Sequence, residues 1–215
     1  MSKEENSMEE GIELPASLLA QNTPNIIAVK NHIYLYDEIS SEVARNLFVV
    51  LHDTAATLIS TALDNNMAIP PIYLHINSYG GSANDALAIV QGIRDIQEGK
   101  IHQISGIPIK IEIYTVIEGE CDSAASLIAC VGSKRFISKY ALSLLHDVRQ
   151  IGGVGGKAEE IDIQAKNLAM FKKKFYDIYL EHSKLTEEKL TEICNKEDYS
   201  SPEQLLEWGL VDSII

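Results

Sequence analysis

The sequence predicts an α/β fold with a largely parallel sheet, and three observations carry that expectation. Strand-like, β-branched runs at 32–36, 72–76 and 111–117 are separated by stretches with helical spacing. Ile72-Tyr73-Leu74-His75-Ile76 is apolar on both faces except for His75, the pattern of a strand covered by helices. The strand–helix–strand–helix order suits right-handed βαβ units.

Residues 1–11 are mostly polar or charged, and the apolar stretch at 12–20, interrupted by Pro15, is short. Residues 1–30 therefore read as a partly flexible N-terminal segment ahead of one domain at 31–215. Residues 21–25 read as irregular and 26–29 as a short edge strand. Ser40-Ser41-Glu42 opens a helix, whose apolar face Val43, Leu47, Leu51, Ala55, Leu58 and Ala62 recurs every three or four residues. Pro70-Pro71 breaks the chain before the strand at 72–76. After the turn Asn77-Ser78-Tyr79-Gly80-Gly81-Ser82 comes a helix carrying Ala86, Val90, Ile93 and Ile96. Residues 101–108 suit a short strand or hairpin arm, and 109–117 the main strand. Gly119 is expected to turn the chain, and a short buried helix of small residues runs on to Gly132. Strands follow at 134–137 and 141–145, with His146 at the end of the second. The longest helix spans 158–182. It carries apolar side chains on more than one face, which predicts burial on more than one side, against a second subunit or in a deep core. Thr186 and Ser201 each begin a further helix, residues 196–199 form a polar turn, Gly209 stops the last helix, and 210–215 is a terminal strand or tail.

Length and composition narrow the function. A chain of 215 residues with 46% hydrophobic content holds one sizeable core. Its net charge of -13 argues against nucleic acid or an anionic membrane as main partner. No apolar run approaches a membrane span and no secretory signal is visible, so a cytoplasmic protein is expected. Three cysteines without a CxxC pair, and no His/Asp cluster at ligand spacing, predict neither a disulfide framework nor a metal site. Phosphate-binding and dinucleotide glycine motifs are both absent, so no cofactor is expected.

Two stretches can carry chemistry. In Gly119-Glu120-Cys121-Asp122-Ser123-Ala124-Ala125-Ser126, Ser123 falls at a strand-to-helix junction, where helix amides point at whatever its hydroxyl attacks. A serine there is also an ordinary cap, and Ser126 admits the same two readings. Gly80 and Gly81 follow a strand and can present backbone N–H groups to an oxyanion or a peptide. His146 is better placed than the other histidines, since ligands of open α/β sheets sit at the carboxyl ends of strands. The glycine-rich run that follows, with Gly152, Gly153, Gly155 and Gly156, suits an arm that pairs with an extended peptide or a neighbouring subunit. Hydroxyl, imidazole, glycine amides and late carboxylates are together the parts of an acyl-transfer site.

The chain resembles the proteolytic subunit of the Clp protease, a serine peptidase of the ClpP/crotonase superfamily, over roughly residues 33–215. Asn77-Ser78-Tyr79-Gly80-Gly81 resembles the family's Asn-Ser-Pro-Gly-Gly turn, with Tyr79 for Pro. Gly119-Glu120-Cys121-Asp122-Ser123 resembles its Gly-x-Ala-Ala-Ser motif, with Cys121 and Asp122 in place of two alanines. Lys134-Arg135-Phe136, His146 and the closing block at 203–212 match as well, although Asp147-Val148 replaces the usual Gln-Pro and 100–108 is longer than in the family.

The resemblance implies a ClpP/crotonase-like fold of repeated β-β-α and βαβ units with a protruding handle helix at 158–182. It makes Ser123 the nucleophile in preference to Ser126, and His146 the base. It places the amides of Gly81 and Ala124 in an oxyanion hole, with Gly80, Gly152 and Gly153 in contact with substrate. The third catalytic member is Asp198 or Glu197, depending on a one-residue shift of register. The partners implied are unfolded polypeptides or peptides, further copies of the chain in two stacked heptameric rings, and a separate AAA+ ATPase of the Clp type. A catalytically inactive or specialised ring subunit is the alternative, and an acyl-CoA enzyme of the crotonase type would leave Ser123 and His146 without a purpose.

Overall fold

The computed structural model describes residues 21–23, 26–152 and 155–215. The short apolar stretch at 12–20, Gly153 and Val154 lie outside the described residues.

The strands alternate apolar and polar side chains, and that alternation gives the sheet two unlike faces. β1 (Gln21–Thr23), β2 (Ile26–Val29) and β3 (His32–Leu35) form an antiparallel edge. β1 corrects the irregular reading of this stretch: its backbone pairs with β2, which no side-chain pattern signals. β3 then pairs in parallel with β4 (Ile72–Ser78), so each residue from His32 to Leu35 faces one from Tyr73 to Ile76. Ile33, Leu35, Ile72, Leu74 and Ile76 point into the core. His32, Tyr34, Tyr73 and His75 stack on the opposite, half-buried face. The expectation of a strand covered by helices on both sides is therefore corrected for β4. One of its faces packs in the core, and the other carries a row of rings.

Between β3 and β4 runs α1 (Ser41–Asp64). Ser40 caps it, its hydroxyl accepting from the Val43 amide at 3.3 Å. By length and composition alone α1 would suit a bilayer. Val43, Leu47, Val50, Leu51, Ala55 and Leu58 are instead buried in the core. α2 (Ala83–Gln97) returns from β4 and buries Ala86, Ile89, Val90, Ile93 and Ile96. The stretch after it forms a hairpin, β5 (Gln103–Ile104) and β6 (Ile107–Pro108). Ser105 and Gly106, both at positive φ, make its turn.

β7 (Ile113–Cys121) is the central strand, parallel to β4 on one side and to β8 (Lys134–Ile137) on the other. It runs past Gly119, so that glycine does not turn the chain. A Cβ at Gly119 would lie 2.7 Å from Asn77 Oδ1, which accepts a 2.8 Å hydrogen bond from the Glu120 amide. Close approach, not turning, requires glycine there. α3 (Ala124–Cys130) follows β7 and is buried along its whole length.

β9 (Ser143–Leu144) pairs with β10 (Tyr199–Ser200), a strand that the polar stretch before Ser201 did not announce. Between them lie α4 (Ala158–Glu181) and α5 (Glu187–Lys196). α6 (Pro202–Trp208) ends at Gly209 in the left-handed conformation, and β11 (Ser213–Ile214) adds to β8 at the sheet edge. Of α4, only Phe175, Tyr176 and Tyr179 are buried. Ile163 and Met170 are 56% and 61% exposed, so α4 is not a deep core helix. The three cysteines, Cys121, Cys130 and Cys194, are all buried and unpaired.

Candidate active site

The end of β7 and the segment at 142–145 run side by side and bring Ser123 and His146 to one cleft. Cys121 donates its amide to Leu142 O at 3.1 Å, and Ser123 donates its amide to Leu144 O at 2.8 Å. Leu144 in turn donates its amide to Asp122 Oδ1 at 2.8 Å. Two residues beyond Leu144 the chain reaches His146. Ser123 and His146 line one cleft of about 820 Å³, together with Gly81, Ala124, Tyr79, Glu38, Asp85, Val148, Arg149 and Phe175.

Ser123 sits immediately before α3 with φ 52° and ψ −123°, and its side chain makes no cap hydrogen bond. A residue with a Cβ is strained there, at a cost of about 1–3 kcal/mol. Its surroundings impose the conformation. Its amide is fixed by Leu144, and its carbonyl accepts from Ser126 Oγ at 2.7 Å. Ser126, having used its only proton, accepts from the hydroxyl of Tyr179 at 2.7 Å. Ser126 is thus a buried prop under the strained turn, and of the two serines only Ser123 lines the cleft.

The glycine turn abuts this serine. A Cβ on Gly80 would lie 2.7 Å from Ser123 Cβ and 3.1 Å from the Ala124 nitrogen, and φ at Gly80 is +100°. Gly81, at φ +145°, lies so close to the Ile39 carbonyl that a Cβ would sit 2.3 Å from it. Neighbouring backbone groups are paired: Ile39 donates to Gly80 O and Ser82 donates to Ile39 O. Gly81 and Ala124 line the cleft together with Ser123.

His146 Nδ1 lies 2.7 Å from the carbonyl oxygen of Asp147. A carbonyl only accepts, so Nδ1 carries the proton and Nε2 is left with a lone pair. Neither late carboxylate is hydrogen-bonded to His146 among the described residues. Glu197, at the left-handed end of α5, pairs with Arg149. Asp198 is exposed on the following residue. The Asp147 carboxylate, which the sequence did not single out as functional, is held from α4 by Lys172 Nζ at 2.6 Å and by the Tyr176 hydroxyl at 2.9 Å. Gly152 stands in open space at φ +101°, next to the exposed Ile151 at the cleft edge.

Asp122 faces away from this chemistry. Burial, then the neighbouring Glu120 carboxyl, push its own carboxyl up to about 7, against the opposing pull of the Leu144 amide. Tyr199 closes the group, its hydroxyl donating to Glu120 Oε1 at 3.1 Å.

Among the described residues no group of His, Cys, Asp and Glu side chains could hold a metal ion. The arrangement offers a half-buried hydroxyl on a strained turn at the cleft, an imidazole with a free lone pair, and a helix start beside them. These are the groups that acyl transfer to serine uses.

Comparisons with known proteins identify the family of the chain. The ATP-dependent Clp protease proteolytic subunit 2 of Cutibacterium acnes is 31% identical over 145 residues, which is 66% of this chain and 61% of that protein. The chain thus aligns with about three fifths of that relative's length. The family profile described as Clp protease matches residues 19–215, which includes every described residue, and the chain belongs to the Clp protease family.

Proposed function

We propose that the chain is a serine-type endopeptidase that hydrolyses peptide bonds of unfolded polypeptides, with Ser123 as nucleophile and His146 as base. One observation carries the reading: Ser123, held at positive φ by its neighbours, shares a cleft with His146, Gly81 and Ala124. Ser123 Oγ attacks the scissile carbonyl carbon while His146 Nε2 takes its proton. The Gly81 and Ala124 amides donate to the oxyanion, and each such donor contributes on the order of 10²–10³ in rate. Collapse of the tetrahedral intermediate breaks the C–N bond, and His146 returns the proton to the leaving amine. Water, deprotonated by the same imidazole, then releases the acyl group. Gly80 lets the turn approach the nucleophile. Gly152 and Gly153 belong to an arm that supplies backbone hydrogen bonds to an extended peptide. The third member of the site is a late carboxylate, Asp198 or Glu197, or the group argued for in the next subsection.

The expected assembly is two stacked heptameric rings enclosing the cleft, in the cytoplasm, supplied with unfolded chains by a separate AAA+ ATPase. The family membership and the exposed apolar side chains of α4 support this.

A non-catalytic ring subunit is the second reading. It is favoured by the pairing of Glu197 with Arg149 and by the lack of a hydrogen bond from either late carboxylate to His146 among the described residues.

A fluorophosphonate reagent separates the two. The adduct is expected on Ser123, located by mass spectrometry, and peptide cleavage is expected to fall by roughly 10³-fold or more in Ser123→Ala. A folded assembly without that adduct would be the non-catalytic subunit.

A further inference from the structure

The contacts around His146 leave its orientation to a group other than the late carboxylates. We propose that the main-chain carbonyl of Asp147 orients His146, and that the Asp147 side chain is a positioning residue clamped by α4. The inference rests on the peptidase reading for its kinetic consequence, although not for its geometry.

The carbonyl of Asp147 accepts the Nδ1 proton at 2.7 Å, which fixes the tautomer with Nε2 as acceptor. A carbonyl orients an imidazole only if its own peptide is held. On its C-terminal side Val148 packs against the core and Arg149 pairs with Glu197 before the glycine-rich run begins. The carboxylate of the same residue adds a hold from α4. Lys172 Nζ reaches Asp147 Oδ2 at 2.6 Å, and the Tyr176 hydroxyl reaches Oδ1 at 2.9 Å. Lys172 and Tyr176 are one turn apart on α4, so they project from the same face of the helix. Tyr176 is buried and thereby rigid. The two links fix both oxygens of the carboxylate, hence the plane of the side chain and the direction of the peptide carbonyl behind it. Glu197, by contrast, is taken up by Arg149. The exposed Asp198 makes no such link to the histidine among the described residues.

The test uses the full chain in its native assembly, with ¹⁵N-labelled histidine. Wild type is expected to show His146 as a single Nδ1–H tautomer by NMR at neutral pH. Asp147→Ala should give a mixture of tautomers and acylate Ser123 with a fluorophosphonate at least about tenfold more slowly. Asp147→Asn, which keeps an acceptor for Tyr176, should recover most of that rate. Glu197→Gln and Asp198→Asn should keep the single Nδ1–H tautomer. If Asp147→Ala fails to fold by circular dichroism, Lys172→Met with Tyr176→Phe removes the same clamp from the helix side. A single Nδ1–H tautomer in Asp147→Ala or in the clamp-less variant, or its loss in Glu197→Gln or Asp198→Asn, would overturn the proposal. A wild-type chain that shows the predicted tautomer pattern but takes no label on Ser123 would refute the peptidase reading and leave the clamp standing.

Discussion

Asp122 lies one residue from Ser123, the proposed nucleophile, yet its chemistry belongs to stability. Burial, then the Glu120 carboxyl, raise its pKa to about 7, whereas in an unfolded chain an aspartate titrates near 3.9. Between about pH 4 and pH 7 the folded state holds a proton that the unfolded state has released, so folding takes up that proton. The stabilisation is complete below about pH 4, shrinks as pH rises, and is gone above about pH 7. Asp122→Asn stays neutral throughout and can still accept from the Leu144 amide. Its melting temperature should exceed that of wild type by a larger margin at about pH 8.5 than at about pH 5. Equal margins at both values would mean that Asp122 is ionised throughout. Asp122 therefore does not serve to favour an imidazolium at His146; its acceptor is turned to the strand amide.

At the scale of elements, the site is a meeting of three turns: β4 into α2, β7 into α3, and the run after β9. The first two touch through Gly80. Gly80→Ala would place a methyl 2.7 Å from both Asp122 O and Ser123 Cβ at φ +100°. Backbone must shift to relieve that contact, so fluorophosphonate labelling of Ser123 should fall by at least about tenfold, with a stability loss of about 1–3 kcal/mol. Labelling at the wild-type rate would show that the turn can move without disturbing the nucleophile. This scale also shows what could be read in the chain. The caps of α1, α5 and α6 were legible because Ser40, Thr186 and Ser201 each accept from a backbone amide three residues on. That Ser123 and His146 would lie near each other was legible because each stands at the end of a strand-like run. Gly119 was misread because a glycine in a strand and one in a turn look alike until the neighbouring Asn77 is placed. β1 and β10 were missed because their pairing is through backbone alone. The Asp147 clamp was invisible because its partners lie on α4, 25 and 29 residues away in sequence.

For the whole molecule, α4 decides what the folded chain can do next. Its last turns pack on the core through Phe175, Tyr176 and Tyr179, while Ile161, Ile163 and Met170, nearer its start, are exposed. Met170 and Phe171 border a small apolar recess of about 160 Å³ with Asn167 and Lys174. Met170→Asp should leave the melting of the isolated fold within about 0.5 kcal/mol, since the position is exposed. It should shift the native mass to smaller assemblies by placing a charge in an apolar contact. An unchanged native mass would exclude this face as the interface.

The interior placement of the cysteines has a consequence for the bench. Cys121, Cys130 and Cys194 are each at most 1% exposed. Burial raises the Cys130 and Cys194 thiols to about 12 and about 11, and Cys121 well above its ordinary value. None of them presents a thiolate to solvent at neutral pH, so alkylating reagents should find the native protein silent. A Ser123→Cys replacement would then be the single thiol within reach of solvent, and its alkylation would count competent clefts one by one, without any substrate.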